Sequence, residues 1–208
     1  MKNKIILLVP RRAAALAAAL ALIAVVSSSA AEGDGRFFLT IRGGLFRPGD
    51  AQVRALYGTS AWPLTIQAGV RIWGPLSVFG GYRSLDMIGA TVVVGPSFEA
   101  DREALQWSDS SWRAGLQFEA AAGSWTFRGY GGAVFLSYKE TWPKAAIVKS
   151  GKSKGYLAGG GIDFRIVRGL ALTAAVEYDR ETATGAGRLT AAPKLGGIEA
   201  GLGLTLRF

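Results

Sequence analysis

Ile198-Glu199-Ala200-Gly201-Leu202-Gly203-Leu204-Thr205-Leu206-Arg207-Phe208 is the stretch whose alternation decides the fold. Successive side chains of a β-strand point to opposite faces, so a period of two sorts residues by face. Ile198, Ala200, Leu202, Leu204, Leu206 and Phe208 take one face; Glu199, Gly201, Gly203, Thr205 and Arg207 take the other. One face is oily and the other is polar or tiny, and no apolar stripe with the helical period of 3.6 competes with it.

The same division can be made seven more times upstream. Phe37, Leu39, Ile41 and Leu45 oppose Thr40, Arg42 and Gly44, and Leu64, Ile66, Ala68, Val70 and Ile72 oppose Thr65, Gln67, Gly69 and Arg71. Leu76, Val78 and Tyr82 oppose Ser77, Gly81 and Arg83; Trp112, Ala114, Leu116, Phe118 and Ala120 oppose Arg113, Gly115, Gln117 and Glu119. In the fifth segment Trp125, Phe127, Ala133 and Phe135 oppose Thr126, Arg128 and Gly132, with Tyr130 and Val134 blurring the register. Tyr156, Ala158, Ile162, Phe164 and Ile166 then oppose Gly159, Gly161, Asp163 and Arg165, and Leu170, Leu172, Ala174, Val176 and Tyr178 oppose Thr173, Ala175, Glu177 and Asp179. The expectation is an all-β, antiparallel, up-and-down barrel of eight strands.

Connections support this. Short turns fall at Gly74-Pro75, Ala122-Gly123-Ser124 and Val167-Arg168-Gly169; long polar loops are expected near Pro48–Pro63, Asp86–Ser110, Glu140–Ser153 and Glu181–Lys194. Tight turns at one end and long loops at the other are the pattern of transmembrane barrels, and strands of about ten residues suit a tilted crossing of the hydrocarbon layer. Closure is required there, because an open strand edge in lipid has no water to bond.

The N-terminus reads as an export signal. Lys2, Lys4, Arg11 and Arg12 precede an apolar run from Ala13 to Val26 and the small residues Ser27 to Ala31. That run is too short to span a bilayer, whereas a basic start, apolar centre and small-residue exit define a secretory signal peptide. Residues 1–31 are therefore assigned to the signal, with cleavage after Ala30 or Ala31, and residues 32–208 to one barrel domain. Removing the four signal cations lowers the formal charge from +9 to +5. With export, this weakens the case for a nucleic-acid partner.

Alternation alone does not distinguish a membrane barrel from a soluble, lipocalin-like periplasmic barrel with its polar face outward. The polar face itself decides. The six lysines after the signal (Lys139, Lys144, Lys149, Lys152, Lys154 and Lys194) fall in or beside expected loops. The strand cations Arg42, Arg71, Arg83, Arg113, Arg128, Arg165 and Arg207 are all arginine, whose planar fork suits confined pairing with carboxylates. Glu119, Asp163, Glu177, Asp179 and Glu199 share those faces. An eight-stranded barrel has room for little beyond its own side chains, so these groups are expected to plug the lumen as an ionic network. Aromatics at the ends of the apolar faces (Phe37, Trp125, Phe164 and Phe208; Tyr82, Trp112, Phe135 and Tyr178) predict two interfacial belts.

The chain resembles small outer-membrane β-barrel proteins of the OmpA-transmembrane-domain/OmpX type. The resemblance is carried by Phe37-Phe38-Leu39-Thr40-Ile41-Arg42-Gly43-Gly44-Leu45-Phe46, by Gly129-Tyr130-Gly131-Gly132-Ala133 and by Gly201 to Phe208. It implies integral outer-membrane residence, contact with lipid including lipopolysaccharide, and recognition by the barrel assembly machinery, with Phe208 as the assembly signal. The sequence departs from OmpA itself in ending at the barrel, so a peptidoglycan-binding domain and cell-wall anchoring are not expected from the resemblance. Roles in that group range from adhesion and structure to solute passage, so the fold does not select one.

Candidate chemistry is sparse. The chain has no Cys and no His, which removes thiolate metal sites and the commonest general base and metal ligand. Membrane-barrel enzymes resemble one another in using a catalytic His, so no enzyme and no cofactor are expected. Gly159-Gly160-Gly161 leads into no helix with a Lys and reads as close-packed wall rather than a phosphate cradle. In the Glu140–Lys154 region, Lys144, Lys149, Lys152 and Lys154 form a candidate anion-contact loop near Trp142. The Asp86–Ser110 region, apolar then acidic, is read as strand rising above the membrane, with an exposed contact site as the alternative. The leading expectation is a non-enzymatic barrel with a plugged lumen and a structural or surface role; the alternative is a narrow channel for small solutes or ions.

Overall fold

The computed structural model describes residues 35–94, 100–143, 146–184 and 194–208. The expected signal segment, residues 1–31, and Lys144 lie outside them. Eight strands follow in chain order: β1 (Phe37–Pro48), β2 (Leu64–Trp73), β3 (Leu76–Val94), β4 (Ala100–Ala122), β5 (Trp125–Trp142), β6 (Ile147–Val167), β7 (Leu170–Thr184) and β8 (Lys194–Arg207). A helix, α1 (Ala51–Tyr57), lies between β1 and β2. Each strand pairs antiparallel with the next, and β8 returns to β1 to close the barrel.

The register fixes the geometry. Paired residues lead from Phe37 through Val70, Val78, Leu116, Gly131, Ala158, Tyr178 and Ile198 to Arg47, so one circuit moves ten positions along β1, from 37 to 47. With about 3.3 Å per residue and about 4.8 Å between strands, this shear tilts eight strands by about 40°. Each residue then advances about 2.5 Å along the barrel axis, and about twelve cross a 30 Å hydrocarbon layer. Strands β1 and β2, at 12 and 10 residues, are of that length. Strands β3 to β6, at 19, 23, 18 and 21 residues, are far longer.

The surplus stands at the long-loop end and corrects part of the sequence reading. The Glu140–Ser153 region is not a long loop: β5 runs to Trp142 and β6 resumes at Ile147. Lys149, Lys152 and Lys154 are therefore strand residues. The Asp86–Ser110 region, set among the long loops but also read as strand rising above the membrane, is strand up to Val94 and again from Ala100. Above the membrane the outer face meets water and needs no apolar residues, so the alternation that marks a strand in lipid fades there. The three short turns hold as read, each with a glycine at positive φ: Gly74 at 50°, Gly123 at 64° and Gly169 at 80°. These tight turns mark the periplasmic end.

Sidedness is opposite to that of a soluble lipocalin-like barrel. Trp112, Leu116 and Leu202 on the outer face are 66%, 53% and 67% exposed, while Glu177 and Arg83 inside are 3% and 1% exposed. An apolar outer band of this extent is unaffordable in water and natural in lipid. The belts are present: at the periplasmic end Phe37 stacks on Phe208 at 5.9 Å and Trp125 meets Phe164 at 4.7 Å, and at the other end Tyr82 packs edge-on against Trp112 at 5.2 Å.

Candidate functional site: the lumen and its two mouths

Three arginines fill the middle and upper lumen. Arg42 on β1 donates to Glu177 Oε2 at 2.7 Å, to Glu199 Oε1 at 3.2 Å and to the Tyr130 hydroxyl at 2.9 Å. Arg113 on β4 bonds Glu177 Oε1 and donates to Asp179 Oδ2 at 3.2 Å. Arg83 on β3 donates to Asp179 Oδ2 at 2.5 Å. Strands β3 and β7 are opposite each other in an eight-membered ring, so the Arg83–Asp179 bond crosses the interior. Inward pointing is dictated by the pleat, since each of these residues occupies the same alternate phase as its small or polar strand neighbours.

A second network lies toward the periplasm. Arg207 on β8 reaches across to β4, donating to Glu119 Oε2 at 2.7 Å, and donates to Asp163 Oδ2 at 2.8 Å. Arg128 lies 2.8 Å from Asp163 Oδ1, and Arg71 approaches Glu119 Oε2 at 3.5 Å from a half-open position. Gln67 donates to Gln117, which donates to Glu119 at 2.7 Å. Beneath this network a vestibule of about 270 Å³ opens to the periplasm, bordered by Arg71, Glu119, Asp163, Arg165 and Arg207.

Of the twelve residues expected in the lumen network, eleven make ion pairs with one another: Arg42, Arg71, Arg83, Arg113, Glu119, Arg128, Asp163, Glu177, Asp179, Glu199 and Arg207. Arg165 is brought elsewhere. It is exposed at the periplasmic rim and donates to the Gly123 carbonyl at 2.6 Å. The β6 bulge between Arg165 and Val167 ends the regular register at this point.

Sequence reasoning missed two buried acids, Asp109 and Glu181, because both fall where strands continue above the membrane. They lie in the upper lumen at 8% and 1% exposure. Among the described residues, the upper lumen thus gathers Asp109, Glu177, Asp179, Glu181 and Glu199 around Arg42, Arg83 and Arg113, leaving carboxyl groups in surplus. Toward the periplasm the surplus is of arginine.

An apolar cap over the upper lumen was also missed. Phe46, Leu85, Met87, Leu105, Trp107, Leu136 and Leu195 point inward and pack with Val53 and Tyr57 of α1. A lower cluster joins Phe38, Phe79, Tyr130, Val134 and Leu157. Tyr130 and Val134 blur the β5 alternation because they are inward-facing apolar residues. Tyr130 can lie flat against the wall because its cross-strand partner is Gly159, where a Cβ would come within 2.7 Å of the ring.

Helix α1 is held over the cap by its own chemistry. Asp50 caps its N-terminus, accepting from Gln52 N at 2.7 Å and Val53 N at 3.3 Å, and Arg54 donates back to the Pro48 and Gly49 carbonyls at 2.8 and 2.7 Å. The Tyr57 hydroxyl donates to Glu140 on β5. Burial first, and this bond second, push the Tyr57 phenol above its ordinary value of 10.0. A raised folded-state value stabilises the fold fully below the unfolded value and loses that contribution as pH rises beyond it. Tyr57→Phe is therefore expected to abolish a late-titrating phenol in the alkaline absorbance titration. It should also remove about 1 kcal/mol of protection from α1 amides in hydrogen exchange at neutral pH; an unchanged titration would show that Tyr57 is not clamped.

The expected anion-contact residues do not form one loop surface. Lys149 faces inward over the Trp142 ring at 5.4 Å, whereas Lys152 and Lys154 are exposed on the outward face of β6. Phe208, expected as an assembly signal, exchanges backbone bonds with Phe37 at 2.9 and 3.1 Å where the ring closes.

A closed eight-stranded ring with an apolar band outside and ion pairs inside is an outer-membrane β-barrel of the bacterial type. Solved structures agree on the fold. The chain is similar to the outer membrane protein OprG from Pseudomonas aeruginosa, with TM-score 0.57 and 16% identity over 83% of this chain and 96% of that one. It is similar also to Neisserial surface protein A, with TM-score 0.54 and 15% identity over 85% of this chain and 100% of that one. No protein-family model and no curated sequence matches it.

Proposed function

We propose that the protein is a non-enzymatic outer-membrane barrel with a closed lumen, whose work is structural or is done by the surface it presents outside the cell. The observation that carries this reading is the set of guanidinium bridges from β3 and β4 to β7, with Arg83, Arg113, Asp179 and Glu177 all buried. Sealing is doubled by the apolar cap under α1, since water does not follow a path lined by Leu85, Leu105 and Leu136. The absence of His from the whole chain supports the non-enzymatic part. Export by the N-terminal signal, recognition of Phe208 by the assembly machinery and an extracellular partner belong to the same proposal.

Planar-bilayer recording on refolded protein tests it. The expected result is no discrete conductance. Stable openings whose ion selectivity shifts in Glu119→Ala would establish the alternative, a narrow channel for small solutes or ions. That second reading draws on the periplasmic vestibule, which brings solvent to Glu119 and Arg207 and leaves the networks above as the barrier.

A further inference from the structure

Among the described residues, five exposed outward cations gather on one wall. Arg47 on β1, Arg180 on β7, Lys152 and Lys154 on β6 and Lys139 on β5 are all exposed and occupy outward positions toward the extracellular end. Register makes them neighbours. Arg180 pairs with Tyr156, two residues below Lys154; Lys152 pairs with Ser137, two residues below Lys139. Such diagonal positions lie about 7–8 Å apart, within reach of one phosphate. On the opposite wall the outward positions 84 to 88 of β3 and 106 to 110 of β4 carry Ser84, Asp86, Ile88, Gln106, Ser108 and Ser110, without a cation.

Directly membrane-ward of Arg180 and Lys154 the outer face is hollow. An apolar groove of about 970 Å³ runs down β6, β7, β8 and β1, floored by Ala158, Gly160, Ala174 and Ala200 and edged by Tyr178 and Trp62. From Arg180 to Ala174 is six residues, which at about 2.5 Å each along the axis is about 15 Å, the depth of one leaflet. Arg47 stands above the far edge, paired with Ile198, whose other partner is Tyr178. Cations thus sit at both upper corners of a slot that reaches only as deep as acyl chains of the outer leaflet.

We infer that this wall is a binding site for a bis-phosphorylated, multiply acylated glycolipid of the outer leaflet. Arg180, Lys154 and Lys152 hold one phosphate, Arg47 meets the second, and an acyl chain lies over Ala174 and Gly160. Charge and groove are separate features that converge on one amphipathic occupant, and a singly charged phospholipid satisfies only part of the arc. The inference rests on the outer face lying in the membrane and not on the lumen being closed, so conductance has no bearing on it.

The test is native mass spectrometry of folded, detergent-solubilised protein titrated with hexa-acylated diphosphoryl lipid A or with phosphatidylglycerol, folding being checked by far-UV circular dichroism. Wild type should retain one lipid A with at least tenfold preference over phosphatidylglycerol. The double variant K154Q/R180Q should lose that preference about tenfold. Ala174→Phe, which fills the groove and leaves every cation, should weaken lipid A retention several-fold, and Arg168→Gln on a periplasmic turn should change nothing. Equal retention of both lipids by wild type, or wild-type retention by both K154Q/R180Q and Ala174→Phe, overturns the inference.

Discussion

Glu177→Ala is expected to lower the unfolding free energy by about 3–5 kcal/mol, the usual cost of removing one member of a buried ion pair. Two guanidinium groups meet that carboxylate, Arg42 through Oε2 and Arg113 through Oε1, and all three side chains are almost inaccessible. The loss is bounded because Arg42 retains Glu199 at 3.2 Å and Arg113 retains Asp179 at 3.2 Å. Arg165→Ala, at a water-exposed rim position, should cost less than about 1 kcal/mol. Urea titration of protein refolded in lipid vesicles measures both. A Glu177→Ala effect as small as that of Arg165→Ala would mean that water already solvates the middle lumen, and would remove the main support for closure.

Leu116→Arg should cost about 2–4 kcal/mol, for the opposite reason. Leu116 points outward, midway along β4 between Trp112 of the extracellular belt and the periplasmic turn at Gly123. A guanidinium there has no protein partner and must draw water or headgroups toward the bilayer centre. Arg113, three residues away on the inner face, is tolerated because carboxylates await it. The same urea titration reads the effect. A cost below about 1 kcal/mol would show that this face meets water and would sink the membrane assignment for β4. Together the two variants separate the energetics of the inside from those of the outside.

The parts of the fold that lie in lipid were legible because lipid imposes the strictest pattern. Every second residue of β8, from Ile198 to Phe208, must be apolar, and the residues between are free to be Glu, Gly or Arg. Above the membrane that rule lapses. Ser150, Lys152 and Lys154 face outward with water beyond them, so a continuous strand has the composition of a loop, and the extensions of β5 and β6 were hidden. Asp109 and Glu181 were lost by the same error, although the alternation of β4 and β7 continues through them. The separation of Arg from Lys did locate the ionic interior, because a confined carboxylate selects a planar fork. It did not foretell Leu85, Leu105 and Leu136 inside the upper barrel, where inward residues pack on one another and on α1 instead of pairing charges.

The ring closes by pairing the first strand with the last, Phe38 opposite Arg207 through Pro48 opposite Gly197. No shorter portion of the chain can hide its edges: a product halted after β7 leaves both β1 and β7 with unsatisfied amides, which the bilayer interior penalises by several kcal/mol per group. Assembly is therefore a single late event. Until β8 pairs, the open amides of β1 and β7 must bond to water or to another molecule, so the order of the strands leaves no sealed intermediate on the way to the ring.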